Sequence, residues 1–435
     1  MLVIQNERLL KLIKPDYSVA DIDALIDCLQ RQGTFDFPAL ANGLFPAALL
    51  TAETAYTGYA NVWVRDNIHV AYAHYVVGQT DVAVKTAQTL LSYFSQHRDR
   101  FEAIIQGQAD PNQVMSRPHI RFNGVTLTEN EEKWPQAQND ALGYFLWLYC
   151  LLVRDDLIIP SAESVDTLAL FPFYFEAIAY WQDEDSGHWE EARKVETSSI
   201  GAVVAGLKLL RQVHLKPAFV NHCCQYQGQL VTLPMLDDLI ANGEAALSAI
   251  LPAECIQPSP EKYRPYDGAQ LFLIYPLGVV KGAIADQILA NILTHLTRDV
   301  GICRYLGDSF WCADYKQKLA GELRTADFSD NMALRDQLLR PGEEAQWCIF
   351  DPIVSVIFGQ KYQETGEAIY LQQQIHHLNR SLGHITGVDS EFGGFKCPEL
   401  YHLENYRYAP SDATPLLWTQ ATLRIALAKM KQTLL

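Results

Sequence analysis

Apolar residues return along this chain every three or four positions far more often than every second one, a rhythm that predicts helices rather than strands. Residues 21–31 open on an acidic residue and set Ile22, Leu25, Ile26 and Leu29 along one face. Residues 67–77 and 81–93 read as two more helices, separated at Gly78. Residues 140–153 are apolar almost all round, from Leu142, Phe145, Leu146, Trp147 and Leu148 to Leu151 and Leu152. A helix of that kind belongs inside a protein, covered by its neighbours. Further helices are predicted over 162–181, 198–213, 234–251, 283–296, 343–358, 362–382 and 414–431. Residues 267–274 and the region after Phe310 are ambiguous. Strand-like alternation is confined to short pieces such as 224–232, and no β-α-β rhythm is visible.

About twelve helices, some apolar on every side, predict an all-α closed toroid with an inner and an outer ring. No low-complexity tract, like-charge block or repeat of fixed period divides the chain, so stacked helical repeats are the weaker reading. The expectation is one domain over residues 1–435, with 1–50 a helical lead-in and the chemistry in 51–435. Two long polar connections, 110–133 and 383–412, are candidate functional loops, because structureless loops of that length inside one domain usually carry function.

Charge and composition narrow the partners. The 435 residues hold 34 Lys and Arg against 51 Asp and Glu, a net charge of −17. Nucleic acid and anionic membranes are bound largely through surplus cations, so neither is expected as a partner. No run of about 20 apolar residues predicts a membrane span. Residues 1–16 carry Glu7, Arg8, Lys11 and Lys14 in place of a signal-peptide core, so a cytoplasmic location is expected. The nine cysteines show no CxxC and no recurring spacing, which predicts free thiols rather than disulfides or a zinc site. The His376–His377 pair has no acidic residue at metal-binding spacing and reads as structural. Aromatic residues reach 11%, including 8 Trp and 21 Tyr, which suits a pocket for a neutral, flat-faced ligand.

Four places gather the side chains such a ligand needs. Trp63, Arg65 and Asp66 precede a helix, where Asp66 is also a candidate N-cap. Trp134, Gln138 and Asp140 head the most apolar helix, with Asn139 or Asp140 available to cap it. Trp189, Glu190 and Glu191 place two carboxyls side by side behind an indole, where like charge and an apolar wall favour a protonated acid. Glu399 follows Pro398 beyond Gly393 and Gly394, ahead of a helix that carries Trp418. Cleavage of a glycosidic bond needs one protonated and one ionised carboxyl, and Glu190 and Glu399 are the best candidates for that pair. Glu391 and Glu404 are rival bases.

In this order the motifs resemble glycoside hydrolase family 15, the glucoamylase family, and the glucoamylase-like domains of the phosphorylase kinase α and β subunits. The family's W-x-R-D is matched by Trp63, Arg65 and Asp66, its W-x-x-x-Q-x-D by Trp134, Gln138 and Asp140, its W-E-E by Trp189, Glu190 and Glu191, and its late Glu before a Trp-containing helix by Glu399 and Trp418. A fifth match, Cys303–Asp308, resembles the family's R-Y-x-x-D loop and contributes Arg304. Residues 343–350, the Pro398–Tyr401 stretch and the helix start at Ser198–Gly201 look closer to the kinase subunits. The resemblance implies an (α/α)6 barrel whose pocket is built by loops that follow the inner helices. It implies Glu190 as general acid and Glu399 as general base, with Trp63, Arg65, Asp66, Trp134, Gln138, Asp140, Trp189, Glu191 and Arg304 binding substrate. No cofactor and no metal are expected. The resulting expectation is an inverting hydrolase that releases glucose from the non-reducing end of short α-glucans or α-glucosides, with α-1,4 and α-1,6 linkages both open. The alternative is a catalytically silent glucan-binding or regulatory protein.

Overall fold

Twelve helices of the computed structural model, which describes residues 2–435, alternate between two concentric rings. In chain order they are α1 (Val19–Arg31), α2 (Val64–Val76), α3 (Thr80–Gln96), α4 (Asn139–Arg154), α5 (Ala162–Ala177) and α6 (Thr197–Val213). The second half supplies α7 (Leu233–Ile250), α8 (Leu271–Ile274), α9 (Gly282–His295), α10 (Phe350–Thr365), α11 (Ala368–Gly383) and α12 (Leu417–Leu434). Even-numbered helices pack in sequence, α2 on α4, α6, α8, α10 and α12, and α12 closes on α2. Odd-numbered helices pack outside them. The fold is the all-α closed toroid expected from the pattern, in the (α/α)6 form that the resemblance implies, in a single domain. The lead-in is not separate from it, because α1 is an outer-ring helix packed on α12.

The apolar patterning explains which helix goes where. Helices α4 and α6, greasy on every side, are buried almost end to end, whereas α1 buries only the stripe of Ile22, Leu25 and Leu29. Their crossing is unusually close: a Cβ built on Gly143 meets the backbone carbonyl carbon of Ala202 at 2.4 Å, and one on Gly206 meets the Gly143 carbonyl oxygen at 2.8 Å. Helix propensity favours Ala over Gly by about 1 kcal/mol, but here the obstacle is rigid backbone. Gly143→Ala is therefore expected to destabilise the protein by about 1–3 kcal/mol, the usual cost of overpacking. A fall in the urea midpoint checks this, and an unchanged or raised midpoint refutes the close crossing.

Several predicted boundaries move for identifiable reasons. Helix α1 starts at Val19 because Ser18 and Asp21 form a reciprocal capping box. The predicted helix at 362–382 is two elements, with α10 ending at Gly366 in the left-handed conformation (φ 72°) before α11 begins. The predicted 343–358 helix starts only at Phe350, because Gln346–Trp347 pairs as a strand with Leu400–Tyr401. The 162–181 helix stops at Ala177, just before Ala179 turns left-handed (φ 48°). The ambiguous 267–274 stretch is the inner helix α8 reduced to one turn, preceded by a 3-10 turn at Gly268–Gln270 and stopped before Pro276. Residues 224–232 form a small hairpin. A short helix at Arg98–Ile105 was not expected from its polar sequence.

The ends of the barrel differ. Connections from outer to inner helices, 32–63, 97–138, 178–196, 251–270, 296–349 and 384–416, are long. Most return connections are short, down to 366–367. The long loops are partly tied into ribbons, one joining Val62–Trp63 to Arg121–Asn123 and Thr128–Glu129, the other joining Gln346–Trp347, Leu400–Glu404 and Arg407–Pro410.

Candidate active site

The long-loop end holds a pocket lined by Tyr59, Trp63, Arg65, Asp66, Trp134, Trp189, Glu190, Arg304, Trp347, Glu399 and Trp418. Its walls are built from segments that lead into the inner helices, not from loops that follow them as expected. The physical consequence is that the amino-terminal ends of these helices, with their unpaired N–H groups and partial positive charge, face the carboxyl-bearing end of the barrel.

The first wall is the start of α2. Trp63 pairs with Arg121 in a two-residue strand, and Asn67 ties this turn down by donating to the carbonyls of Trp63 and Phe45. Arg65 and Asp66 thus occupy the first helical turn. Asp66 is not the N-cap, a position held by Trp63. Among the described residues no side chain donates to the Asp66 carboxyl. Burial pushes it up to about 7, with Arg65 opposing the shift and Glu190 adding to it. Arg65 donates to Gln138 at 2.8 Å and to Asp140 at 2.9 Å. Asp185, from a distant loop, accepts the first N–H of α4, so neither Asn139 nor Asp140 is the cap.

Adjacent carboxyls at Glu190 and Glu191 part company because Glu190 is left-handed (φ 59°) at the end of a turn closed to Gly187. Such a conformation is uncommon outside glycine and costs about 1 kcal/mol or more. Glu190 enters the pocket, where its Oε1 accepts from Trp63 Nε1 at 2.7 Å and Gln138 Nε2 at 3.0 Å, with Arg65 at 3.5 Å. Glu191 turns behind the wall. Its Oε1 accepts from Tyr305 at 2.6 Å, Arg335 at 2.6 Å and Arg304 at 3.2 Å, and its Oε2 from Arg264 at 2.9 Å. Burial alone would raise its pKa, but the three guanidiniums hold it well below the usual carboxylate range. Arg304 is further fixed by two 2.7 Å bonds to Asp308 and lies against the rings of Trp189, Trp347 and Phe310.

The opposite surroundings apply to Glu399. It is buried, with Oε1 accepting from the Tyr59 hydroxyl at 2.8 Å and Oε2 from Ser411 at 3.3 Å. Burial raises it to about 7, while Tyr59, Arg304 and Ser411 limit the rise. The Tyr59 and Trp63 rings touch at 5.4 Å between centroids, so an aromatic pair joins the two carboxyls that bond to them. Glu391 is exposed and paired with Lys316, and Glu404 lies beside His402; neither lines the pocket.

Trp63, Arg65, Asp66, Trp134, Trp189, Glu190, Arg304 and Glu399 therefore converge on one cavity. Gln138, Asp140 and Glu191, expected against the sugar, do not line it; buried polar groups there are consumed in orienting Arg65, Glu190, Arg304 and Arg335. Tyr59, Ser411, Phe310, Arg335 and Trp347 were not anticipated. Of these only Trp347, an aromatic residue just ahead of an inner helix, shares the signal that marks Trp63 and Trp134. His377 does have an acidic partner, Asp351 at 2.7 Å, shared with Arg380, which fastens α11 to the start of α10. No cluster of metal-ligating side chains is found among the described residues, and no helix there is long and apolar enough to cross a membrane.

Comparison with solved structures gives a glycosidase at 17% identity and TM-score 0.66, covering 95% of this chain and 97% of that one. A glycosidase variant in complex with glucose aligns at 16% identity and TM-score 0.63, over 98% and 99% of the two chains. The glucoamylase from Saccharomycopsis fibuligera aligns at 11% identity and TM-score 0.60, over 96% and 97%. At these identities the likeness is one of fold. No curated protein matches the sequence. The model of glycosyl hydrolases family 15 matches residues 29–371, well over half of the sequence, and the chain belongs to that family.

Proposed function

We propose that the protein is an inverting glycoside hydrolase that releases glucose from the non-reducing end of short α-glucans or α-glucosides, with Glu190 as general acid and Glu399 as general base. The observation that carries this reading is the pair of carboxyls on one aromatic-walled pocket with unlike partners. Donors from Trp63 and Gln138 occupy Oε1 of Glu190, so the acid proton belongs on Oε2. From there it passes to the glycosidic oxygen as the bond to the anomeric carbon breaks. Glu399 takes a proton from the water that attacks the opposite face, and carboxyls in such a pair stand about 6.5–9.5 Å apart to admit that water. Arg65, Asp66 and Arg304 supply directional bonds to the hydroxyls of the terminal glucose. Trp63, Trp134 and Trp189 supply apolar faces. A site of this kind rejects sugars that leave its buried polar groups unpaired.

The test is the anomer released first. Proton NMR of an α-glucoside digest is expected to show β-glucose before mutarotation; initial α-glucose would refute inversion. Saturable binding of maltose or isomaltose without glucose release at any pH would instead identify a silent glucan-binding protein.

A further inference from the structure

The connection 296–349 is the longest between ring helices, and part of it lines the pocket. Its residues Thr325–Phe328 line the cavity alongside side chains from the first turns of α2 and α12. Arg65, Asp66 and Trp418 belong to the barrel and form the floor, whereas this segment belongs to no ring helix. It is fastened on both sides of the two residues Thr325 and Ala326. On one side Arg324 donates to Asp412 at 3.0 Å and to the Tyr56 hydroxyl at 3.2 Å. On the other, Lys133, next to the pocket's Trp134, reaches Asp327 at 3.0 Å and Asp330 at 2.5 Å. Farther along, Arg335 is held by Glu191 and by Ser309.

We propose that residues 324–330 are a strap across the mouth of the sugar pocket that restricts the glycan to a few residues, with Lys133 as the latch that sets this length selectivity. The inference rests on the reading of the pocket as an α-glucoside site. Thr325 and Ala326 are half-buried and line the same cavity as the buried floor, so a chain that outgrows the cavity meets the strap. The two anchors differ in strength. Arg324 and Asp412 are largely shielded from solvent, whereas Lys133 and Asp330 are exposed on their outer sides. The Lys133 end is therefore the one that yields. An exposed pair of this kind contributes up to about 1 kcal/mol, which corresponds to about fivefold in an open–closed equilibrium. Salt near ~1 M, where the screening length is about 3 Å, loosens it as a mutation does.

The experiment measures kcat/KM for maltose and maltoheptaose in the wild type, Lys133→Ala and Asp330→Asn, at low and high salt. The wild type is expected to favour maltose. Each variant is expected to raise the maltoheptaose-to-maltose ratio about three- to fivefold, as is salt in the wild type, with kcat for maltose unchanged. A wild type that favours maltoheptaose, or a ratio that neither variant moves, overturns the strap. If no glucose is released from either sugar, the hydrolase reading has failed separately. The ratio of dissociation constants, read from tryptophan fluorescence, then decides the strap by the same criterion.

Discussion

Glu399→Gln is expected to lower glucose release from an α-glucoside by about 10²–10⁴-fold, the range general acid–base catalysis supplies, and Glu190→Gln by a similar factor. Neither change alters side-chain volume appreciably, so maltose binding followed by tryptophan fluorescence should be largely kept. A Glu399→Gln variant that turns over at the wild-type rate would remove Glu399 from the mechanism. Neither Glu391 nor Glu404 is placed to replace it, since both lie outside the pocket. The same residue sets a pH signature. With burial holding Glu399 at about 7, the wild-type rate should climb with pH through about 7 as the base ionises.

Stability moves the other way. A carboxyl whose folded pKa lies above its unfolded value of about 4.3 binds its proton more tightly in the native state. That contribution is complete below the unfolded pKa and is lost as pH rises to about 7. At pH 8 the native protein therefore holds a desolvated charge that glutamine does not carry. Glu399→Gln should accordingly melt higher than wild type at pH 8 and alike at pH 4. A variant that melts lower at pH 8 would mean that the Tyr59 and Arg304 interactions outweigh burial.

The second large effect belongs to a residue that does not touch the pocket. Glu191→Gln is expected to cost about 3–5 kcal/mol, the usual penalty for breaking a buried ion pair while its partner stays buried. Arg264 and Arg304 keep Asp267 and Asp308, but Arg335 keeps only the neutral Ser309 hydroxyl at 3.0 Å and a distant contact with Asp308 at 4.0 Å. Urea unfolding at pH 7 reads the loss, and weakened maltose binding reads the accompanying slackening of Arg304. Because Glu191 is held well below the usual carboxylate range, its contribution is present above about pH 4.3 and lost as pH falls through its depressed folded value. The difference between variant and wild type should therefore shrink in acid. Equal urea midpoints at pH 7 would show that the three guanidiniums do not depend on this carboxylate.

The contrast between Glu190 and Glu191 also marks how far the sequence reaches. Apolar patterning located eleven of the ring helices and left only the stub α8 ambiguous, because burial of one face leaves a repeat of three and four and burial of all faces leaves an apolar run too long for a strand. Trp63, Trp134, Trp189 and Arg304 were legible because each stands beside charged or amide residues near the start of an inner helix or in a loop approaching one. Nothing in Trp-Glu-Glu says that a left-handed turn sends its carboxyls to opposite sides of a wall. Tyr59 and Glu399 meet across 340 residues, and Arg335 and Glu191 across 144. Neither pairing leaves a local pattern, since it is ring closure that brings the partners together.

That closure has a consequence for how such a protein changes over time. The rings are held by helix-on-helix packing, and the segments that shape the pocket are the long connections 32–63, 97–138, 178–196, 251–270, 296–349 and 384–416. A stretch such as 324–330 can be lengthened, trimmed or exchanged between relatives without reopening the rings. The far end, which turns in as little as 366–367 and is long only at 214–232, offers much less chain to vary. Substrate range is thus free to drift at one face of the molecule while the other preserves its foldability.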